Sequence, residues 1–188
     1  MLSRNTKNDR FGSGWLRPAV AIVLAVLSML AASLAHAQSE DEIKAAFLLN
    51  FARYVEWPSS AFGSPAAPIR ICMLDAEGFD SVVSATVDGK TVGERAFEVS
   101  TVQNDAPIGR CHILFVGDED ESAESVVSSL GNSSVFSVAN DDGFAKSGGV
   151  ANFFRAGNRI RFEINPRAAK RAGLKISSRL LRLAQLVE

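Results

Sequence analysis

The chain has 188 residues, 47% of them hydrophobic, and a net charge of −1 from 20 basic and 21 acidic side chains. This balance argues against a nucleic-acid-binding protein, which would carry an overall basic charge. The 2 cysteines and 2 histidines lack the spacing of a zinc site, and a domain of about 150 residues buries enough surface to fold without a metal.

The first 37 residues have the pattern of a secretory signal peptide. Basic residues precede a charge-free stretch from 18 to 35, and Ala35-His36-Ala37 is a small-x-small cleavage sequence. We expect cleavage after Ala37, which leaves residues 38–188 as one exported domain. The alternative is an uncleaved anchor, because an apolar stretch of this length could just span a bilayer.

The exported part is divided in charge. Residues 38–143 carry 6 basic and 18 acidic side chains, whereas residues 144–188 carry 10 basic and 2 acidic ones. Such asymmetry suggests that the protein binds a polar molecule or an acidic partner surface. The alternative is that both charged regions only solvate the domain.

Strands and helices alternate through the first half of the exported part. Ser39 and Glu42 form a capping box for a helix that we expect to end at Trp57-Pro58. The pattern then predicts strand 69–74, helix 78–87, strand 96–102, strand 111–116, helix 122–130 and strand 134–139. This order predicts an α/β fold, a single layered domain whose mostly parallel sheet is flanked by helices.

The C-terminal part predicts a hairpin followed by amphipathic helices. Strands 150–155 and 159–164 are joined by a three-residue loop, Ala156-Gly157-Asn158, so the sheet should be mixed. Apolar and charged residues alternate in the second strand, which predicts one buried and one charged face. Asn165-Pro166 begins a helix that Gly173 ends, and Ser177 or Ser178 caps a final helix to Val187.

Candidates for catalysis or metal binding are few. Four aspartates follow predicted strands and could gather at one sheet edge to hold a metal or phosphoryl group, namely Asp75, Asp118, Asp141 and Asp142. Charged loop ends produce this pattern routinely, and we favour that interpretation. His112 begins a core strand, and the chain has no Gly-x-Ser-x-Gly elbow, so this histidine should be structural. We therefore expect neither enzyme activity nor a cofactor.

Charged residues near the C-terminus form the candidate binding site. They are Arg155, Arg159, Arg161, Glu163, Arg179 and Arg182. Residues 159, 161 and 163 share one face of a strand, and residues 179 and 182 are neighbours on a helix. Arginine recognises carboxylates and phosphates through paired donors, so we predict a partner or ligand surface here. Solvated arginines are the alternative.

Cys72 and Cys111 are the two cysteines of the chain. An exported domain lies in an oxidising compartment, and an even count favours one disulfide bond there. Two buried thiols are the alternative, because free cysteine packs as a small hydrophobic residue.

Three groups of segments carry a recognisable family pattern. The first runs from Lys44 to Phe51 and continues in Val55-Glu56-Trp57-Pro58, and the second is Cys111 to Phe115. The third comprises Gly148-Gly149, Asn152-Phe153, residues 159–165 and residues 172–184. Together these segments resemble the YfiR-like periplasmic proteins. The similarity covers nearly all of the exported part, and the third group is the most specific.

The resemblance implies a small periplasmic α/β protein that acts by binding. The family's namesake binds the periplasmic part of an inner-membrane diguanylate cyclase and represses it, so that release raises cyclic di-GMP and favours biofilm. An outer-membrane lipoprotein and a second copy of the chain are further implied partners. Cys72 and Cys111 match one cysteine pair of the namesake, whose second pair has no counterpart here. A small-ligand-binding sensor domain of another membrane signalling system is the alternative, with its ligand on the face that carries the arginines and Glu163.

Overall fold

A computed structural model describes residues 39–103, 107–117 and 123–188. The predicted signal peptide, Asp118 and the predicted helix start at Ser122 lie outside these ranges. None of the helices within the ranges has the length and apolarity that a membrane span requires.

Helix α1, Glu40–Tyr54, begins as the sequence predicts. The Ser39 hydroxyl accepts a hydrogen bond from the Glu42 N–H, and the Glu42 carboxylate accepts one from the Ser39 N–H, which completes a capping box. The helix ends three residues before Trp57, so the prediction that it continues to Trp57-Pro58 is wrong. The reason is that the next two residues leave the helix and pair as strand β1, Val55–Glu56, with strand β9, Lys175–Ile176.

Eight strands of the described residues form one mixed sheet. They are β2 Ile69–Leu74, β3 Thr91–Val92, β4 Arg95–Val102, β5 Ile113–Val116, β6 Phe136–Ala139, β7 Ala151–Ala156, β8 Arg159–Ile164 and β10 Gln185–Leu186. Their order is β10-β8-β7-β6-β5-β2-β4-β3. Strands β4, β2, β5, β6 and β7 are parallel, whereas β8 is antiparallel to β7 and β3 to β4. The predicted α/β class with a mixed, mostly parallel sheet is confirmed.

Helices cover both faces of this sheet. They are α1, α2 Phe79–Val87, α3 Ala123–Leu130, α4 Pro166–Arg171 and α5 Ser178–Leu181, with single 3-10 turns at Ser59–Ala61 and Ile108–Arg110. Residues of α1 and α2 pack with Ile71, Met73 and Phe115 on one side, which we call the α1 face. Residues of α3 pack with Leu74 and Leu114 on the other, the α3 face. Because successive strand residues point to opposite faces, the central strands are apolar almost throughout.

The prediction of a final helix that reaches Val187 is wrong. Helix α5 is only four residues long, and the chain then pairs as β10 in parallel with β8, Gln185 beside Glu163. Leu183 and Leu186, which follow α5, are 58% and 55% exposed. The open edge of β8 captures the segment, because tertiary pairing outweighs helix propensity over so short a stretch.

The β7–β8 hairpin has a two-residue turn, so the predicted three-residue loop is also wrong. Ala156 pairs with Arg159, which leaves Gly157 and Asn158 in the turn. Gly157 has a φ of 62°, a left-handed conformation that glycine adopts without strain. A register difference of one residue moves a side chain to the opposite face of the sheet, which rearranges the candidate site described next.

Candidate functional site

The hairpin register separates Arg155 from the other predicted arginines. Arg155 lies opposite Ile160 and shares a face with Phe153 and Phe162, which pack against α1. Its guanidinium pairs with the carboxylate of Glu40 in the first turn of α1. Arg155 is therefore part of the α1 face rather than of one continuous arginine patch.

Arg159 and Arg161 lie together on the α3 face. Arg161 is directly opposite Phe154, and Arg159 is opposite Ala156. Both arginines are exposed, and neither forms a salt bridge with another described residue. Two arginines beside a half-buried phenylalanine form a surface suited to a partner with carboxylates and an apolar contact. We call these three residues, Phe154, Arg159 and Arg161, the arginine face.

Glu163 is not on this exposed surface, which corrects the prediction of a fully charged outer face on β8. It is 6% exposed, because strand β10 covers it. Gln185 donates a hydrogen bond from Nε2 to Glu163 Oε1 at 2.7 Å. The buried carboxylate therefore connects β8 to the C-terminal strand. Direct contact with a partner stays a prediction for the five arginines of the candidate binding site.

Arg179 lies on the short helix α5 and Arg182 directly follows it, so neither residue belongs to strand β8. The Arg179 guanidinium carbon is 5.6 Å from the ring centre of Tyr54, the last residue of α1. This cation–π contact places Arg179 at the end of α1, so the structure does not unite it with Arg161. Tyr54 was not among the predicted site residues, because an aromatic residue at helical spacing indicates the core rather than a surface contact.

A cleft opens at the carboxyl edge of the parallel strands. The strand order reverses there between β2 and β5, the position at which α/β folds commonly bind ligands. Two cavities of about 490 and 290 Å³ share Lys44 and Asn140 in their walls. Asp141 and Asp142 line the first cavity and Asp75 the second, so three of the four predicted aspartates do meet at this edge. Among the described residues, no group of acidic, histidine or cysteine side chains is arranged to hold a metal ion.

The walls of the cleft include two features that the sequence analysis missed. Lys44 is only 5% exposed, and its Nζ lies 2.7 Å from Glu40 Oε1. The Lys44 hydrogen bond lowers the pKa of Glu40, against an opposing effect of burial. The spacing of Glu40 and Lys44, four residues apart on a helix, was the available sequence signal. A Cβ at Gly117 would lie 1.8 Å from the Asp75 carbonyl oxygen, so only glycine fits beside this strand end.

The disulfide between Cys72 and Cys111 is confirmed. Its Cα atoms are 5.8 Å apart, and both cysteines are buried in the core of the α3 face. The bond joins β2 to Cys111, which lies two residues before the start of β5. The interpretation of His112 as a structural histidine agrees with its burial and its backbone contact, since Nδ1 accepts a hydrogen bond from the Arg70 N–H at 3.0 Å.

Comparison with known proteins places the chain in a family. Among solved structures, a conserved domain protein from Vibrio cholerae O1 biovar eltor shares the fold, with a TM-score of 0.58 and 9% identity over 80% of this chain. The chain covers 60% of that protein. The ABC domain from Streptococcus pneumonia in complex with L-Trp aligns with a TM-score of 0.44, 14% identity and coverage of 63% of this chain and 55% of that one. No curated protein matches. The profile of DUF4154, the YfiR/HmsC-like family, matches residues 41–185, and the chain therefore belongs to this family.

Proposed function

We propose that the protein is a periplasmic regulatory binding protein that represses an inner-membrane signalling enzyme, a diguanylate cyclase, by contact with its periplasmic part. The observation that carries the proposal is the family match over residues 41–185, since YfiR-like proteins are regulators rather than enzymes. An outer-membrane lipoprotein and a second copy of the chain are further proposed partners.

Export is part of this proposal. Residues 1–37 serve as a signal peptide, and the active form begins at Gln38. N-terminal sequencing of protein from a periplasmic extract should give Gln-Ser-Glu-Asp. A protein that starts at Met1 and sediments with the membranes would contradict the export of a cleaved form.

The arginine face is the proposed contact surface. Arg159 and Arg161 are exposed, carry no ion pair with a described residue and flank an apolar ring, so a partner carboxylate can bind without displacing an internal contact. Arg155 is a weaker candidate because Glu40 already neutralises it. Arg179 and Arg182 belong to the same interface only if the partner also reaches the end of α1.

Charge reversal at Arg161 tests the contact surface. Arginine anchors at interfaces typically cost about 2 kcal/mol when lost, so Arg161→Glu should weaken binding to the cyclase roughly 30-fold. The measurement is the dissociation constant for the purified periplasmic part of the cyclase, together with cyclic di-GMP in cells. We expect cyclic di-GMP to rise while the melting temperature stays within about 2 °C of the parent, because the side chain is exposed.

Lys90→Glu is the matched control for this variant. Lys90 precedes β3, at the opposite edge of the sheet from β8, and its substitution changes the net charge by the same amount. It should bind and repress as the parent does. Equal weakening by both variants would show that overall charge, not the arginine face, governs binding, and normal binding by Arg161→Glu would remove this surface from the interface.

A small-ligand-binding sensor is the second candidate function. The cleft at the carboxyl edge, with a cavity of about 490 Å³, favours it. Phe154 and Arg155 are among the residues that line this cavity, whereas Arg159 and Arg161 are not. The two functions differ in what the arginine face does. A sensor would keep its ligand affinity in Arg161→Glu, whereas a contact repressor would lose its partner.

A further inference from the structure

His112 lies beneath a surface segment and has one ring nitrogen without a partner. The residue is 2% exposed and stands between the disulfide at Cys111 and the first residue of β5. Its Nδ1 accepts a hydrogen bond from the Arg70 N–H, so the neutral ring must carry its proton on Nε2. Among the described residues, Nε2 is the buried side-chain atom that lacks a hydrogen-bond partner. Burial of a polar atom without a hydrogen-bond partner costs free energy, so its presence in a folded protein calls for an explanation.

The segment above the ring, residues 57–68, contacts His112 at two points. The Trp57 indole N–H donates to the His112 carbonyl oxygen at 3.1 Å. The Phe62 ring stacks on the imidazole with centroids 4.3 Å apart and an angle of 22°. The sequence of the segment contains no charged residue, so it contributes no ion pair to its own attachment.

Arg95 holds the outer side of the same segment. Its guanidinium carbon lies 3.6 Å from the centre of the Phe62 ring. Its Nη1 donates to the carbonyl oxygens of Ser64 and Ala67 at 3.1 and 2.6 Å. Phe62 therefore contacts both the Arg95 cation and the imidazole, and a positive charge on the imidazole would add repulsion between His112 and Arg95.

Protonation of His112 would break the Arg70 hydrogen bond and place a positive charge beneath the segment, whereas the Trp57 hydrogen bond to the backbone carbonyl oxygen does not depend on the ring. A proton on Nδ1 turns an acceptor into a donor that faces the Arg70 N–H, so that hydrogen bond is lost. The charged groups that face the ring are Arg70 from β2 and Arg95 from β4, both cations, and neither the segment nor β5 supplies a carboxylate. A buried imidazolium without a counter-ion is strongly disfavoured, and opening the segment would let water solvate it.

We propose that His112 is an acid-sensitive latch, whose protonation releases residues 57–68 from the sheet while the sheet itself stays folded. The disulfide between Cys72 and Cys111 keeps β2 and the start of β5 together on the inner side of the ring. The released segment adjoins β1 and Tyr54, so its opening would change the surface at the end of α1. The latch responds to the pH of the compartment that surrounds the protein. That this compartment is the periplasm rests on the proposed location.

The direction of the effect follows from the two states of the ring. Burial and, next, the charge of Arg70 lower the pKa of His112 from 6.5 to about 4 in the closed form, against an opposing contribution from the Ala61 backbone, whose contact with the ring falls short of hydrogen-bond geometry. The closed segment is therefore fully favoured above pH 6.5 and loses stability as the pH falls from 6.5 towards 4. With those two values, the open-to-closed ratio should rise about 70-fold between pH 7.5 and pH 4.5.

Hydrogen exchange resolved along the chain tests the latch in the full exported protein. The amides of Ala61, Phe62 and Ala67 are hydrogen-bonded within the segment, and the amides of β5 report on the sheet. After correction for the intrinsic pH dependence of exchange, protection of the segment should fall about 70-fold from pH 7.5 to pH 4.5. Protection of β5 should change less than about 3-fold over the same range.

His112→Asn is the matched variant. Its side-chain oxygen can take the place of Nδ1 as acceptor from the Arg70 N–H, but it does not titrate. In this variant the segment should keep the same protection at both pH values. The latch is overturned if the variant retains the pH dependence, if segment and β5 lose protection in parallel, or if segment protection does not change in the parent. Should the variant not fold, the carbon-13 shift of the His112 ring in the parent decides, because an ordinary pKa near 6.5 in the closed protein would also overturn it.

Discussion

Reduction of the Cys72–Cys111 disulfide is expected to lower the free energy of unfolding by about 4 kcal/mol. The bond links residues 39 positions apart, and the loss of loop entropy in the unfolded chain gives this magnitude in the chain-entropy model. Natural domains are stable by only about 5–15 kcal/mol, so the reduced protein should lose a large share of its stability. Urea unfolding of the same protein with and without reductant measures the difference.

This comparison replaces no residue, so it perturbs the packing of the core less than a substitution does. A double variant, Cys72→Ala with Cys111→Ala, should lose a similar amount plus a smaller packing contribution, because both sulfurs are buried in the core of the α3 face. Thiol labelling must show two free thiols per reduced chain. An unchanged urea midpoint in fully reduced protein would contradict a stabilising role for the bond.

Phe51→Ala is expected to destabilise the protein by about 3–5 kcal/mol. Phe51 is fully buried and lies at the centre of the aromatic cluster between α1 and the sheet. Its ring centroid is 4.9 Å from that of Phe136 and 5.1 Å from that of Phe162. Loss of the ring would remove apolar contacts and leave a cavity that the surrounding strands cannot fill. The free energy of unfolding from urea titration is the measurement.

Two further substitutions frame this result. Phe51→Leu keeps most of the apolar volume and should cost clearly less than Phe51→Ala. Leu183→Ala removes a side chain that is 58% exposed and should change stability by less than about 0.5 kcal/mol. If Phe51→Ala costs no more than Leu183→Ala, helix α1 does not pack on the sheet as described.

The central strands could be predicted because burial on both faces leaves a clear pattern. Strand β2 has the predicted bounds, Ile69–Leu74, since its six residues are apolar except for one arginine. The capping box of α1 and the proline at the start of α4 were also recognisable, because caps depend on local residue types. Strands β1, β9 and β10 could not be predicted, because two residues are too few to show a period.

The candidate site depended on a detail that sequence pattern does not determine. A three-residue hairpin loop would have paired Arg155 with Arg159 and put both on one face. The two-residue turn pairs Ala156 with Arg159 and turns Arg155 towards α1. Glu163 is buried for a similar reason, because the C-terminal segment pairs with β8 instead of continuing as a helix. Arg159 and Arg161 keep their shared exposed face, because alternation within one strand does not depend on either feature.

The most direct test of the proposed function is the cellular level of cyclic di-GMP in a host from which the gene for this protein has been removed. Repression of a diguanylate cyclase predicts that the level rises several-fold, that the parent gene restores it, and that additional removal of the partner cyclase abolishes the rise. The level should stay high when only the Arg161→Glu variant is supplied at equal abundance. A level of cyclic di-GMP that does not change on removal of the gene, under conditions in which the cyclase is produced, would contradict the proposal.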